Sequence, residues 1–185
     1  VEALLSKLSL EEKVAQMRIF HANIGTTPDA NGNLKLSDKV IEKLKLGIAG
    51  IKNPGEHIDA VAAAKLNNEL QKYIIENNRW GIPALFVTES YNGVDAEGCT
   101  KFGRPITSAA SFNPELVQRQ WDVVGREARL RGMHMCHSPE ADIVRDPRFG
   151  RMSEAFGEDT YLTTQMVKNA VIGVQGNYKG LGNGT

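Results

Sequence analysis

The sequence has only two cysteines, Cys99 and Cys136, and they are far apart and not in a CxxC spacing. A disulfide framework or a zinc knuckle needs more cysteines at closer and more regular spacing. Neither is therefore expected here. The two thiols are predicted to be free and structural, as isolated cysteines usually are.

The sequence also has no excess charge of either sign, because 22 Lys and Arg residues balance 22 Asp and Glu residues. A nucleic-acid-binding surface is expected to be net positive, so no nucleic-acid partner is predicted. No apolar run approaches the roughly 18 residues of a membrane-spanning helix, so no membrane span is predicted. The opening "VEALLSKLSLEEKVAQM" lacks the features of a signal peptide. A processed chain would lack them too, which leaves export open.

Motifs for nucleotides and for hydrolase nucleophiles are absent as well. The glycines spell neither GxGxxG nor GxxxxGK[ST], and there is no GxSxG nucleophile elbow. His134, Cys136 and His137 are close in sequence, but along a strand the first two share one face and His137 points to the other. A structural zinc site also needs a fourth ligand. No metal or cofactor is therefore predicted.

The elements that are present alternate between strand and helix over 185 residues, a length that suits one domain with a sizeable core. Apolar runs predict three strands, and helical periodicity between and after them predicts helices. The strands are "GIAGIKN", "IPALFVTE" and "MHMCHSP"; the helices are an opening one capped by Ser9, one from Ser37 to Gly47, and others over 56–78, 113–132 and 159–175. Residues 21–35 are predicted to be irregular. This alternation is typical of an α/β fold with a parallel sheet.

Two long connections follow the second and third predicted strands. They are "VTESYNGVDAEGCTKFGRP" and "SPEADIVRDPRFGRMSEAFGEDTY". Connections in α/β units usually span two to six residues, whereas these are roughly 20. Because strand carboxyl ends in a parallel sheet share one edge, the two loops are predicted to form a polar pocket there.

Three arginines lie in the segment "RDPRFGR", together with nearby carboxylates that balance their charge. This balance favours guanidinium groups that hold carboxylates and sugar hydroxyls over a phosphate site. Glu89, at the end of the second strand, and Arg145 are the candidate binding residues. Arg148 and Arg151 are expected to form ion pairs that rigidify the loop, with Glu154, Glu158 or Asp159 as partners.

Four segments resemble, in this order, the N-terminal (β/α)8 barrel domain of glycoside hydrolase family 3, the β-glucosidase and β-xylosidase family. They are "SKLSLEEKVAQM", "GIPALFVTESYNGV", "FNPELVQRQWDVVGREARLRGM" and "SPEADIVRDPRFGRMSEAFGEDTYL". The most specific part is "RDPRFGR" with "FGED" downstream, although the family usually has Trp where this sequence has Phe149. Asn92 occupies the place of a histidine that the family often shows before the glycine.

The resemblance implies a (β/α)8 TIM-barrel fold and a retaining, exo-acting β-glycosidase that needs no metal. Glu89, Arg145 and Arg151 are its expected substrate-binding residues, with Arg151 and Asp142 mainly bracing the loop. The favoured substrate is a terminal β-glucoside in an oligosaccharide or glycoside. Glu89 instead of a shorter aspartate could favour a pentose, so a β-xylosidase or arabinosidase is the alternative within the family.

A full barrel has eight strand-helix units over roughly 250 residues, and about three are recognisable here. Residues 1–185 are thus expected to be the N-terminal part of the barrel domain, completed by the remainder of the same polypeptide. The nucleophile and the acid/base carboxylate are expected beyond Thr185. The 185 residues alone are expected to be inactive and poorly soluble, because an open half-barrel exposes sheet edges.

Two other classes stay open at this point. A non-catalytic α/β module could use the same loops to hold a carbohydrate, and its support is the lack of an assignable pair of catalytic groups. A nucleotide-binding open sheet is a weaker alternative. A secreted or periplasmic location is favoured only because of the substrate class.

Overall fold

The structure is a computed structural model and describes residues 1–22, 26–28 and 33–176. The chain forms two compact units. The first consists of Val1–Thr88 with Arg131–Met135, and the second consists of Glu89–Leu130 with the chain from Cys136 onward.

The first unit contains the strands that precede the candidate loops. Its elements are α1 Glu2–Leu5, α2 Leu10–Ala15, β1 Ile19–His21, β2 Thr26–Pro28, β3 Leu34–Leu36, α3 Asp38–Leu44, β4 Gly50–Lys52, α4 Ala60–Asn77 and β5 Leu85–Thr88. The last strand, β6, is Met135–Cys136, and its first residue is the last one of the segment Arg131–Met135 with which the chain returns to this unit.

The main sheet has the strand order β1-β4-β5-β6. The pairs β1–β4 and β4–β5 are parallel. Along the chain, each further strand of this sheet lies next to the preceding one, and always on the same side of it. A doubly wound sheet reverses its direction part-way, whereas a (β/α)8 barrel does not. The order therefore confirms the predicted α/β fold and is that of the TIM-barrel type.

Most predicted helices begin where the sequence signals place them. Ser9 and Glu12 form the predicted capping box at α2, and Ser37 occupies the N-cap position of α3. The helix α6, Pro114–Leu130, begins after Asn113, whose Oδ1 accepts a hydrogen bond of 2.9 Å from the Leu116 amide. The side chains of Ser9 and Asn113 thus satisfy amide groups that have no partner inside the helix, whereas the Ser37 side chain makes no capping hydrogen bond.

The prediction that residues 21–35 are irregular is wrong in part. His21 ends β1, and β2 and β3 form an antiparallel pair; residues 23–25 and 29–32 lie outside the described part of the chain. Strands of three residues are too short to show an alternating pattern, so backbone pairing produces them without a sequence signal. The helix α5, Pro105–Ala109, was also not predicted, because it lies inside the first long connection.

Side-chain hydrogen bonds hold the approach to β5. Gln71 on α4 donates to the Ala84 carbonyl at 2.8 Å and accepts from the Ala84 amide at 2.9 Å. These two bonds satisfy both backbone groups of a buried residue, as a neighbouring strand would. The apolar side chains of Ile51 and Val87 are fully buried on β4 and β5. The strand that leads to Glu89 is thus fixed along its length.

The second unit is built on the packing of α6 against α7, Thr160–Val174. Val117, Trp121 and Val124 on α6 are buried, as are Met166 and Ala170 on α7. These residues recur at the three- and four-residue spacing of a helix face. The long loop that carries the three arginines ends at α7, so this helix pair anchors it.

Two glycines set how closely α6 and α7 approach. A methyl group at Gly173 would lie 2.3 Å from the Gln118 carbonyl oxygen and 2.9 Å from the Trp121 Cβ. One at Gly125 would lie 2.5 Å from the Val174 carbonyl oxygen. Because backbone atoms cannot rotate away as a flexible side chain can, any added side chain would force the helices apart.

Gly173→Ala is expected to destabilise the protein that carries this domain by about 1–3 kcal/mol, because overpacking costs more than alanine's helix propensity returns. The midpoint of thermal unfolding measures the effect. Lys168→Ala is the matched control, since Lys168 is exposed on the same helix. Equal midpoints for the two variants would contradict the close backbone contact.

Candidate functional site

Glu89 and His137 lie beside each other where two neighbouring strands end. Glu89 is the first residue after β5, and His137 is the first after β6. The His137 Nδ1 is 4.0 Å from the Glu89 Oε1, with the two side chains 36% and 32% exposed. This position at a sheet's carboxyl edge is the one predicted for a binding carboxylate.

The segment after β6 is held by buried apolar residues. Val144, Ala155 and Phe156 are each buried, and the Val144 amide donates to the Gly157 carbonyl at 3.1 Å. This hydrogen bond joins the two ends of the segment, so residues 145–156 form a closed loop between them. The candidate binding residue Arg145 directly follows the buried Val144 and is exposed.

Arg148 forms an ion pair with Asp146, two residues earlier. The Asp146 Oδ1 also accepts from the Arg148 amide at 2.9 Å and caps a short 3-10 turn over Pro147–Phe149. Gly150 ends this turn with φ of +81°, a conformation that glycine adopts without strain. The Arg148 guanidinium holds the pKa of the Asp146 carboxyl below its usual range.

The expected partners of Arg148 were therefore wrong. The sequence suggested Glu154, Glu158 or Asp159, but the proline-initiated turn folds the guanidinium back onto Asp146. A partner within the same turn needs no ordering of distant chain, which makes it the less costly choice.

Arg151 forms the loop-bracing ion pairs that the sequence predicted for it. Its NH2 is 2.6 Å from the Glu154 Oε2 and 3.2 Å from the Glu140 Oε1. The hydrogen bond from Arg151 lowers the pKa of Glu154 and raises that of Arg151. Glu140 was not predicted as a partner. Direct contact of Arg151 with substrate stays a prediction.

Arg145 differs from the other two arginines of the segment. Within residues 1–22, 26–28 and 33–176, its side chain has no hydrogen bond or ion pair with the protein. All five N–H donors of its guanidinium are thus available for a ligand. Asp142 is likewise exposed and without such a contact in the described ranges, so its bracing role also stays a prediction.

Arg104 connects the two long loops of the second unit. Its NH1 donates to the Ser153 Oγ at 2.7 Å, and its guanidinium carbon lies 5.6 Å from the centroid of the Tyr91 ring. Tyr91 is two residues after Glu89, and Ser153 is two residues after Arg151. Sequence reasoning missed this contact, since a single arginine in a loop carries no signal of its distant partner.

His134 lies directly before β6, and Cys136 lies within it. The His134 Nδ1 accepts a 2.8 Å hydrogen bond from the Phe86 amide, so this ring extends the backbone pairing of the sheet. Burial raises the pKa of the Cys136 thiol, which disfavours the thiolate that a metal would bind. Neither Cys136 nor Cys99 forms a disulfide, as predicted.

Residues 9–182 match the family described as the glycosyl hydrolase family 3 N terminal domain. The chain belongs to this family. The match agrees with the sheet order and with the segment "RDPRFGR" that carried the resemblance.

Three relatives describe this membership further. A putative β-xylosidase from Formosa agariphila is 87% identical over the whole chain, which spans 24% of that protein. The structure of a β-glucosidase from Erythrobacter marinus superposes with a TM-score of 0.80 at 30% identity, over 95% of this chain and 22% of its own. A variant β-glucosidase from Listeria innocua in complex with laminaribiose gives a TM-score of 0.74 at 28% identity, over 99% and 24%.

The chain thus spans about a quarter of the length of these family 3 relatives. Among the residues that the structure describes, no helix combines the length and the apolar composition needed to cross a membrane.

The pair formed by Glu154 and Arg151 is expected to make stability depend on pH. Because its folded pKa is lowered, ionised Glu154 stabilises the fold above the unfolded value of about 4.3, and this contribution disappears as pH falls through the folded pKa. Glu154→Gln should cost roughly 1 kcal/mol at pH 7, a modest value because Arg151 is 57% exposed.

Thermal unfolding midpoints of wild type and Glu154→Gln, measured between pH 3 and pH 7, check this. The gap between them should close below about pH 4.3. Glu158→Gln is the control, because Glu158 is exposed in the same loop and has no ion pair in the described residues. A difference between the midpoints of wild type and Glu154→Gln that does not change with pH would show that the charge of Glu154 does not contribute to stability.

Proposed function

We propose that the protein is a retaining, exo-acting β-glycosidase that releases terminal sugars from the non-reducing end of oligosaccharides or glycosides. The observation that carries the proposal is the guanidinium of Arg145 in the loop that follows β6, which has no hydrogen bond or ion pair with the residues that the structure describes. The other two arginines of that loop are paired with carboxylates of the loop itself. An exposed cation that follows a buried residue and has no partner in the described part of the chain is suited to bind an external ligand.

Glu89 and Arg145 have complementary hydrogen-bonding chemistry for a sugar. The Glu89 carboxylate accepts hydrogen bonds, and the Arg145 guanidinium donates them in a rigid fork. A sugar hydroxyl both donates and accepts, so one ring can use both groups. Membership in family 3 supports a pyranose as the ligand, and the near-neutral charge of the chain argues against a polyanion.

The reaction itself needs two carboxylates on either side of the glycosidic bond. In a retaining glycosidase one attacks the anomeric carbon, and the other protonates the leaving oxygen and later activates water. We assign neither of them within these residues; both are expected in the remainder of the polypeptide. The role proposed for Glu89 and Arg145 is to hold the sugar ring so that the anomeric carbon is presented to those groups.

Arg145→Ala in the full-length protein is expected to lower kcat/KM for an aryl β-glycoside by about 100-fold. The loss corresponds to one or two charge-assisted hydrogen bonds to the sugar. Arg148→Ala is the matched control, because Arg148 is an exposed arginine of the same loop whose partner is Asp146. The control should change kcat/KM less than about threefold, and equal losses would point to general loop damage.

The sugar at the non-reducing end is the finer question. Identity of 87% to a putative β-xylosidase favours a xyloside, whereas the structural relatives are β-glucosidases. We therefore expect a higher kcat/KM on an aryl β-xyloside than on the matching β-glucoside. Activity on neither substrate, with sugar binding retained, would instead support a non-catalytic carbohydrate-binding role.

A further inference from the structure

The side chain of His137 is placed to act on Glu89. The two residues directly follow adjacent strands of one sheet, and the His137 Nδ1 is 4.0 Å from the Glu89 Oε1. This separation exceeds the roughly 2.9 Å of a hydrogen bond, so a shift of about 1 Å would form one. Contacts in ligand-free sites are often long and shorten when the substrate binds.

The chemistry of the imidazole suits this contact. A proton on Nδ1 can be donated to a carboxylate oxygen, whether the ring is neutral or charged. The other ring nitrogen, Nε2, makes no hydrogen bond with any residue that the structure describes. No contact at Nε2 with those residues therefore prevents His137 from carrying its proton on Nδ1, the nitrogen on the Glu89 side.

A carboxylate that binds a sugar selectively has to be held in one orientation by its neighbours. Glu89 has several rotatable bonds, and a donor at one of its oxygens restricts rotation about them. A donor on one side holds Oε1 and turns Oε2 toward the ligand, which reduces the conformational freedom lost on binding. Partial burial of both side chains makes the contact stronger than it would be in water.

We propose that His137 is a positioning residue for Glu89, which holds one carboxylate oxygen so that the other accepts hydrogen bonds from the sugar. The inference rests on the proposed sugar-binding role of Glu89. It assigns His137 a part in sugar recognition through Glu89 rather than a metal site or a place in the core.

The alternative is a purely structural role, in which the half-buried His137 side chain only fills space beside the end of the strand. Phenylalanine at position 137 would fill the same space without an N–H donor. Asparagine would lose the ring, but its amide can reach the position of Nδ1. The two roles therefore predict opposite rankings for these substitutions.

The experiment compares wild type, His137→Phe, His137→Asn, Glu89→Gln and the double variant His137→Phe/Glu89→Gln in the full-length protein. Steady-state kcat and KM are measured on aryl β-xyloside and β-glucoside. His137→Phe is expected to lower kcat/KM about 10- to 100-fold, as loss of a hydrogen bond to a charged group does, and His137→Asn to recover most of it. In the Glu89→Gln background, His137→Phe should cost less than about threefold, because its effect passes through the carboxylate.

Three results would overturn the inference. The first is wild-type kinetics in His137→Phe, the second is the same loss in both backgrounds, and the third is a larger loss in His137→Asn than in His137→Phe. Thermal midpoints identify misfolding, and if His137→Phe unfolds, His137→Leu in the same cycle takes its place. A wild-type protein without turnover on either glycoside would overturn the proposed function. If the wild type is active but the losses in kcat/KM from His137→Phe and Glu89→Gln simply add, only the role of His137 is overturned.

Discussion

Parallel strands that end at one edge of a sheet are the constraint on which the candidate site depends. β5 and β6 are neighbours, so the residues that directly follow them, Glu89 and His137, meet although they are 48 positions apart in sequence. Neither residue needs a specific loop conformation to reach the other. The strand spacing of roughly 5 Å already places them within the range of their side chains.

The loop after β6 is held in place by its own buried side chains and ion pairs. Buried Val144 and Phe156 fix its backbone, and local ion pairs then use the carboxylates of Asp146 and Glu154. This leaves Arg145 as the arginine of the segment without a partner in the described chain. For the proposed sugar binding, a rigid loop in which one arginine has no partner among the described residues would be preorganised, since the ligand would not have to break an existing pair.

The sequence predicted β4, β5, β6, the longer helices and the two long loops, because apolar runs and helix caps act locally. It did not predict β1 or the antiparallel pair of β2 and β3, because strands of three residues are too short to show an alternating pattern. Among side chains, it named Glu154 as one of three possible partners of Arg151, and the structure confirms this pair, but it missed Asp146 as the partner of Arg148. The contacts of Arg104 and His137 were not predicted, for a different reason. They join positions far apart in sequence, and only the three-dimensional arrangement brings such residues together.

Contacts at Gly125 and Gly173 make the spacing of α6 and α7 a property of the main chain rather than of side-chain size. Apolar residues elsewhere on these helices can exchange for others of similar volume without changing that distance. For protein engineering, the helix pair thus forms a fixed frame on which the arginine loop can be lengthened or rewritten. Sequence variation can accumulate in the loop, whereas the helix pair tolerates none at Gly125 and Gly173, where the two main chains are closest.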